Sequence, residues 1–140
     1  MVAELEVAVG AHTPAVRHPG RDLSDRSPLP TVAVEGPTHD VTYVNPAFAR
    51  LVGRERADLV GRPFADAVPE GTANGCRALL DRVFRTGVPE SLAEQEHRHP
   101  GPGPAYWSYA AWAILGADER PVGVMIQVTD ATEVALFRRQ

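Results

Sequence analysis

The order of the patterns along the chain predicts an α+β fold. Two short segments rich in β-branched residues come first, several short helical patterns and one longer one follow, and three further strand patterns come last. Alternating apolar and polar side chains indicate strands, whereas apolar residues at i, i+3, i+4 and i+7 indicate helices. Strands and helices grouped in separate runs are typical of α+β folds. A chain of 140 residues, 44% hydrophobic and 23% charged, suits one soluble domain.

The N-terminal segment carries a weak helical pattern. Val2, Leu5 and Val9 lie close to helical spacing, which predicts a short amphipathic helix over residues 3–11. A frayed polar terminus is the alternative. Residues 12–30 contain four prolines, so they are predicted to form a linker rather than a long helix or a central strand.

The first two strand patterns lead directly into a helix. Residues 31–34 and 41–44 are short strands, and the turn-forming residues between them predict a hairpin. Asn45 is predicted to cap the following helix with its side chain, with Pro46 at the first helical position. Gly53 ends that helix.

Three more helical patterns come next. Residues 56–59 and 61–68 each predict a single helical turn. The longest helix is predicted from the apolar stripe of Cys76, Leu79, Leu80, Val83 and Phe84. Thr72 or Asn74 is the expected cap of this helix, and Gly87 is its expected end.

The last third of the chain is predicted to be mostly strand. Residues 90–98 are mainly charged or polar and are typical of an edge strand. Residues 106–115 and 122–129 predict two long strands joined as a hairpin, and a final helix begins near Thr132. We therefore divide the chain into a helix with a proline-rich linker (1–28), a main domain (29–130) and the start of a C-terminal helix (131–140).

Three motifs resemble those of PAS domains. They are Val-Asn-Pro-Ala-Phe at residues 44–48, Leu-Val-Gly-Arg-Pro-Phe at 59–64, and the Asp-x-Thr exit motif formed by Asp130 and Thr132. The resemblance spans roughly residues 29–139. It implies a five-stranded antiparallel sheet with short helices and one longer helix on one face. It also implies a sensory module of bacterial signalling proteins such as sensor histidine kinases, with Asp130 and Thr132 as a latch to the exit helix.

Strand alternation, with the register that the resemblance implies, assigns the two faces of the sheet. The inner face and the helices would line a ligand pocket built from Val44, Phe48, Leu51, Phe64, Leu79, Val83, Trp107, Tyr109, Ala111, Ile126 and Val128. A collapsed core without a ligand is the alternative for the same residues.

The outer face of the sheet is expected to be unusually apolar. It would carry Ala110, Trp112, Ile114 and Met125. Exposed apolar patches of this kind mark interfaces. We expect both the stripe of Val2, Leu5 and Val9 and a second protomer to cover this face, so the chain is predicted to be a homodimer.

Charge, hydropathy, cysteine count and motif content disfavour several classes of protein. A net charge of −4 and a pI near 5.7 disfavour nucleic-acid binding, and no apolar run reaches the length of a membrane span. A single cysteine, Cys76, cannot form an internal disulfide, which fits a cytoplasmic protein. Phosphate-binding and hydrolase motifs are lacking, so the chain is not expected to be an enzyme, and a small-molecule enzyme is the weakest alternative.

The residues at the positions where flavin or haem would be held disfavour both cofactors. In the flavin-binding, light-sensing branch of the PAS family, a cysteine follows the Gly-Arg pair, whereas here Phe64 stands at that position. The resemblance implies that haem would be held by a histidine on the long helix, and residues 76–86 contain none. A Cys76 thiolate is the alternative ligand, but a lone cysteine of this kind is more often a small buried apolar residue. His97 and His99 suggest a metal site only weakly, because no further ligand lies at a supporting spacing. The function expected is therefore a sensory or relay input module with an unidentified ligand or partner and a downstream domain; the alternative is a ligand-free dimerisation adaptor.

Overall fold

The computed structural model describes residues 24–69, 75–97 and 103–138. These residues form one sheet of five strands, in which every neighbouring pair is antiparallel. The strands are β1 (Thr31–Glu35), β2 (Asp40–Val44), β3 (Glu90–His97), β4 (Ala105–Leu115) and β5 (Pro121–Asp130). Their order across the sheet is β2-β1-β5-β4-β3. The predicted α+β class, the five-stranded sheet and the edge position of β3 are confirmed.

The helices connect the second strand to the third and extend the last strand. They are α1 (Pro46–Val52), α2 (Arg56–Leu59), α3 (Phe64–Ala67), α4 (Cys76–Thr86) and α5 (Thr132–Arg138). The turn predicted over residues 61–68 is shorter than expected, because Gly61 has a φ of 91° and Pro63 is extended and bridged to Asp40. The N-terminal helix predicted over residues 3–11 lies outside the described residues.

Local chemistry sets both ends of α1. The Asn45 side chain accepts a hydrogen bond from the Phe48 N–H at 2.9 Å, and Pro46 occupies the first turn. Gly53 ends the helix with a φ of 69°, a left-handed conformation that costs glycine little. The predicted cap and both predicted ends of this helix are confirmed.

The longest helix, α4, begins differently from the expectation. It follows Gly75, which has a φ of 87° and has no side chain with which to cap the helix. The two expected capping residues, Thr72 and Asn74, lie outside the described residues. Four residues of the predicted apolar stripe are buried and Phe84 is half-buried, and the helix packs against β3, β4 and β5.

The helices and the inner face of the sheet enclose one apolar core. On β1, β4 and β5, Val32 and Ala111 lie opposite Ile126 from either side, and all three are buried. Burying an aliphatic or aromatic side chain of this size stabilises the fold by about 1.5–3 kcal/mol. The core therefore holds the central strands to the helical layer.

Gly123 on β5 allows β1 to approach closely. A Cβ atom at this position would lie 2.3 Å from the Val34 carbonyl oxygen and 2.9 Å from the Glu35 side chain. Both contacts are shorter than van der Waals separations permit. The pairing of β5 with β1 therefore requires glycine here.

Candidate functional site

The junction between β5 and α5 is held by a compact set of hydrogen bonds. The Thr132 hydroxyl accepts from the Tyr106 N–H at 3.0 Å and donates to the Asp130 carboxylate at 2.7 Å. The same carboxylate oxygen accepts from the Thr132 N–H at 3.1 Å. The Ala131 N–H donates to the Tyr106 carbonyl oxygen at 2.8 Å. The start of the exit helix is thus fastened to the beginning of β4.

The point of attachment on β4 adjoins the core. Tyr106 holds the exit helix through its backbone, and the next residue, Trp107, lies opposite Asp130 and is only 3% exposed. Its ring makes an edge contact with Tyr109, with centroids 6.2 Å apart. A buried core residue, Trp107, is thus the sequence neighbour of the residue that carries the junction.

The structure brings the predicted pocket residues together. Ten of the eleven are buried members of one apolar cluster, and Leu51 is half-buried and packs against it. Their side chains pack with one another and form the core of the domain.

Two surface concavities are lined mainly or entirely by other residues. One, of about 620 Å³, lies between α1 and α2 and is lined by Arg50, Arg54 and Arg56 among others. The second, of about 280 Å³, is bounded by the β1–β2 turn, α3 and α4 and shares only Phe64 with the predicted set.

Sequence reasoning missed His39, which lines the second concavity. Its side chain is 5% exposed, and its Nε2 lies 2.6 Å from the Asp81 carboxylate on α4. The ring meets Phe84 edge-on at 5.9 Å between centroids. Nδ1 is buried and has no hydrogen-bond partner among the described residues. Turn-forming neighbours identified this segment as a loop, and nothing local indicated that its histidine folds back onto α4.

Asn45 does more than cap a helix. Its Oδ1 also accepts from the Thr31 N–H at 2.9 Å, and its Nδ2 donates to the Ser24 and Leu29 carbonyl oxygens at 2.8 and 2.9 Å. The side chain is fully buried. It joins the segment that precedes β1 to the start of α1.

The predicted outer face is apolar, as expected, and it is only partly covered. Ala110 and Trp112 are exposed, the latter by 37%, and Ile114 and Met125 are half-buried. Trp112 and Met125 are directly opposed on neighbouring strands. Val2, Leu5 and Val9, the expected cover, lie outside the described residues.

The groups considered for cofactor and metal chemistry lie apart from one another or outside the described residues. Cys76 is fully buried, and burial raises the pKa of its thiol to about 12. Phe64 is buried in the core. His99 is not among the described residues, and within the described ranges no three His, Cys, Asp or Glu side chains are arranged to hold a metal ion. No helix in the described segments is long and apolar enough to cross a membrane.

Comparison with known families gives one match that spans most of the chain. A family model described as the PAS fold matches residues 24–136. This range includes all five strands and the exit junction.

Solved structures with the same architecture are distant in sequence. A PAS domain of a protein from Colwellia psychrerythraea superposes with a TM-score of 0.66 at 16% identity, covering 81% of this chain and 95% of that one. The PAS domain of nitrogen regulation protein NR(II) from Vibrio parahaemolyticus gives 0.62 at 13% identity, covering 81% and 99%.

A third similar structure belongs to a larger protein. It is an RNA-binding Light-Oxygen-Voltage receptor, with a TM-score of 0.68 at 15% identity, covering 91% of this chain and 38% of that receptor. This chain therefore spans less than half the length of that receptor. At these identities the likeness establishes the fold.

Proposed function

Because this chain belongs to the PAS family, we propose that it is a cytoplasmic sensory and signal-relay domain, the input module of a bacterial sensor histidine kinase or a related signalling protein. It couples binding of a small molecule or a protein partner to the exit helix α5 and to dimerisation. The output domain would be joined through that helix. No catalytic step is assigned to this domain.

The position of Tyr106 and Trp107 carries the proposal. The two residues are adjacent on β4. The Tyr106 backbone is hydrogen-bonded to Thr132 and Ala131, whereas the Trp107 side chain belongs to the core. Side chains in a packed core move together rather than independently. A change in the core that displaces Trp107 is therefore transmitted to the start of α5.

We propose that the eleven predicted pocket residues, which pack together in the core, are the ones that contact a ligand. Because these side chains pack against one another, a ligand must select an arrangement in which they separate, and it shifts the equilibrium only by its preference for that arrangement. Trp107 and Tyr109 supply the polar atoms of the set. We assign no flavin or haem, since Phe64 offers no thiol and the Cys76 thiol is buried.

A ligand-free dimerisation adaptor is the second candidate. It is favoured by the exposed Trp112 and its apolar neighbours on the outer face, which require no cavity to act. In this case a partner protomer, rather than a small molecule, would set the position of α5.

The latch formed by Asp130 is tested with Asp130→Ala. The exposed carboxylate accepts two hydrogen bonds from Thr132, and a hydrogen bond in water-accessible surroundings contributes about 0.5–1.5 kcal/mol net. We expect amide hydrogen exchange in α5 to rise about tenfold, which corresponds to ~1.4 kcal/mol, while exchange in β1 and β5 is unchanged.

Thr129→Ala is the matched control, since Thr129 is exposed and adjoins the junction on the same strand. It should leave exchange in α5 unaltered. Loss of the folded sheet in Asp130→Ala would show that Asp130 is merely structural, and unchanged exchange in α5 would remove the latch from the proposal.

A further inference from the structure

We infer that Glu94, in a bulge of the edge strand β3, is a positioning residue that fastens the far end of the exit helix through Arg138 and so couples the edge of the sheet to the output. This inference rests on the proposed relay through α5. It adds a second point of attachment, on a different strand from the one that holds Thr132.

The pairing of β3 with β4 is interrupted at one place. Leu92 lies opposite Tyr109 and Gln95 lies opposite Trp107, so two residues of β3 face Ser108 alone. Glu94 is one of them and has a φ of 52°. Its N–H donates to the Ser108 hydroxyl at 2.9 Å. A bulge of this kind redirects the side chain that it carries.

The bulge directs a shielded carboxylate to the end of the exit helix. The Glu94 side chain is only 12% exposed and forms an ion pair with Arg138 in the last described turn of α5. A carboxylate shielded from water is unfavourable unless a cation or hydrogen bonds compensate it. The Arg138 guanidinium, itself 65% exposed, provides a positive charge at that point.

Among the described residues of the exit helix, the larger apolar side chains are exposed: Val134 by 54% and Phe137 by 78%. The small residue Ala135 is buried within the helix, and Ala131 is buried just before it. Burial of a methyl group removes little apolar surface from water. The polar contacts at the two ends, Thr132 at the start and Glu94 with Arg138 at the finish, therefore decide how firmly α5 is held.

Through this ion pair, a displacement of β3 changes the position of the exit helix. Among the described strands, β3 lies at an edge of the sheet and pairs with β4 alone. A shift of β3 along β4 moves the Glu94 carboxylate relative to Arg138 while Thr132 stays in place. The helix then pivots about its first turn, which changes the direction in which it leaves the domain.

The test measures amide hydrogen exchange in α5 for variants of the full chain. Glu94→Gln and Arg138→Gln should each increase exchange in the second half of α5 severalfold, and 0.5 M salt should increase it in the parent protein but not in either variant. The double charge swap, Glu94→Arg with Arg138→Glu, should restore slow exchange. Glu96→Gln, an exposed carboxylate on the same strand, is the matched control and should change nothing.

A further variant separates the ion pair from the shape of the bulge. Glu94→Gly suits a φ of 52° better than glutamate does, so the bulge is kept and only the carboxylate is lost. It should release the helix as Glu94→Gln does. Slow amide exchange in α5 of both Glu94→Gly and Glu94→Gln would overturn the inference about Glu94. If exchange in α5 is then still fast in Asp130→Ala, the proposed latch at Asp130 stands. Fast exchange in the Glu94 and Arg138 variants, with exchange in Asp130→Ala like that of the parent protein, would overturn the latch and leave the inference.

Discussion

Asn45 is the residue on which three parts of the fold depend. Its buried amide makes four hydrogen bonds, two as acceptor and two as donor, to the backbone of Ser24, Leu29, Thr31 and Phe48. Asparagine suits this position because one short side chain offers an oxygen with two lone pairs and a nitrogen with two hydrogens. The segment before β1, the strand itself and helix α1 are fixed relative to one another by this single group.

Replacing Asn45 should therefore be costly. We expect Asn45→Ala to lower the free energy of unfolding by about 3 kcal/mol, because each lost hydrogen bond is worth about 1 kcal/mol and the buried N–H groups lose their partner. Thr38→Ala is the control, since it removes an exposed side-chain bond to Asp40 and should cost under about 0.5 kcal/mol. Urea denaturation measures both. Equal losses of stability in Asn45→Ala and Thr38→Ala would contradict this prediction and would mean that water replaces the hydrogen bonds of the Asn45 amide.

Tyr43 makes the stability of the fold depend on pH in the alkaline range. Burial, and then the hydrogen bond that its hydroxyl donates to Asp25 at 2.5 Å, raise the pKa of the phenol from 10.0 to about 12. Below pH 10 the phenol is protonated whether the chain is folded or not. Between about pH 10 and 12 the unfolded chain releases this proton and the folded chain keeps it. Stability contributed by Tyr43 is therefore lost as pH rises through this window.

The measurement compares the parent protein with Tyr43→Phe by urea denaturation at pH 9 and pH 11. Tyr43→Phe should be less stable at pH 9, since it lacks the bond to Asp25, and should lose less stability than the parent between the two pH values. Parallel losses in the two proteins would contradict the assigned pKa shift.

At the scale of elements, the sequence predicts best where the determinants are local. The ends of α1 follow from Asn45, Pro46 and Gly53, whose side chains or backbone freedom act within a few residues. The start of α4 could not be found in this way, because Gly75 acts only through its backbone conformation. The long strands β4 and β5 were predicted to within a residue or so at each end, since alternation along them is regular.

Features that depend on distant residues were not predictable. The bulge in β3 occurs at a glutamate rather than a glycine, and it is supported by Ser108 and Arg138, which are far away in the chain. The contact of His39 with Asp81 likewise joins a turn to a helix 42 residues later. In contrast, the predicted pocket residues were found to lie together because the periodicity of each element already selects its buried face.

Across the whole molecule, the two faces of the sheet are covered to different degrees. The helices bury the inner face, whereas the described residues of the outer face differ in exposure: Ala33 and Tyr43, beside the segment that Asn45 holds, are buried. Further along the same face, Trp112 is exposed. The apolar region over β4 and β5 is therefore the proposed site of a second protomer.

This proposal predicts the mass of the protein in solution. We expect the full chain to be a dimer by light scattering, and we expect Trp112→Arg to weaken dimerisation about tenfold or more, because a charge at the centre of an apolar interface is strongly unfavourable. Removal of residues 1–23 should also weaken it if Val2, Leu5 and Val9 contribute to the cover, and this truncation spares the contacts of Ser24 and Asp25. Asp66→Arg places the same side chain on α3, away from this face, and serves as the control. A monomer at all concentrations of the full chain, or a dimer that withstands Trp112→Arg, would show that the outer face is not the interface and would leave the core as the input of the domain.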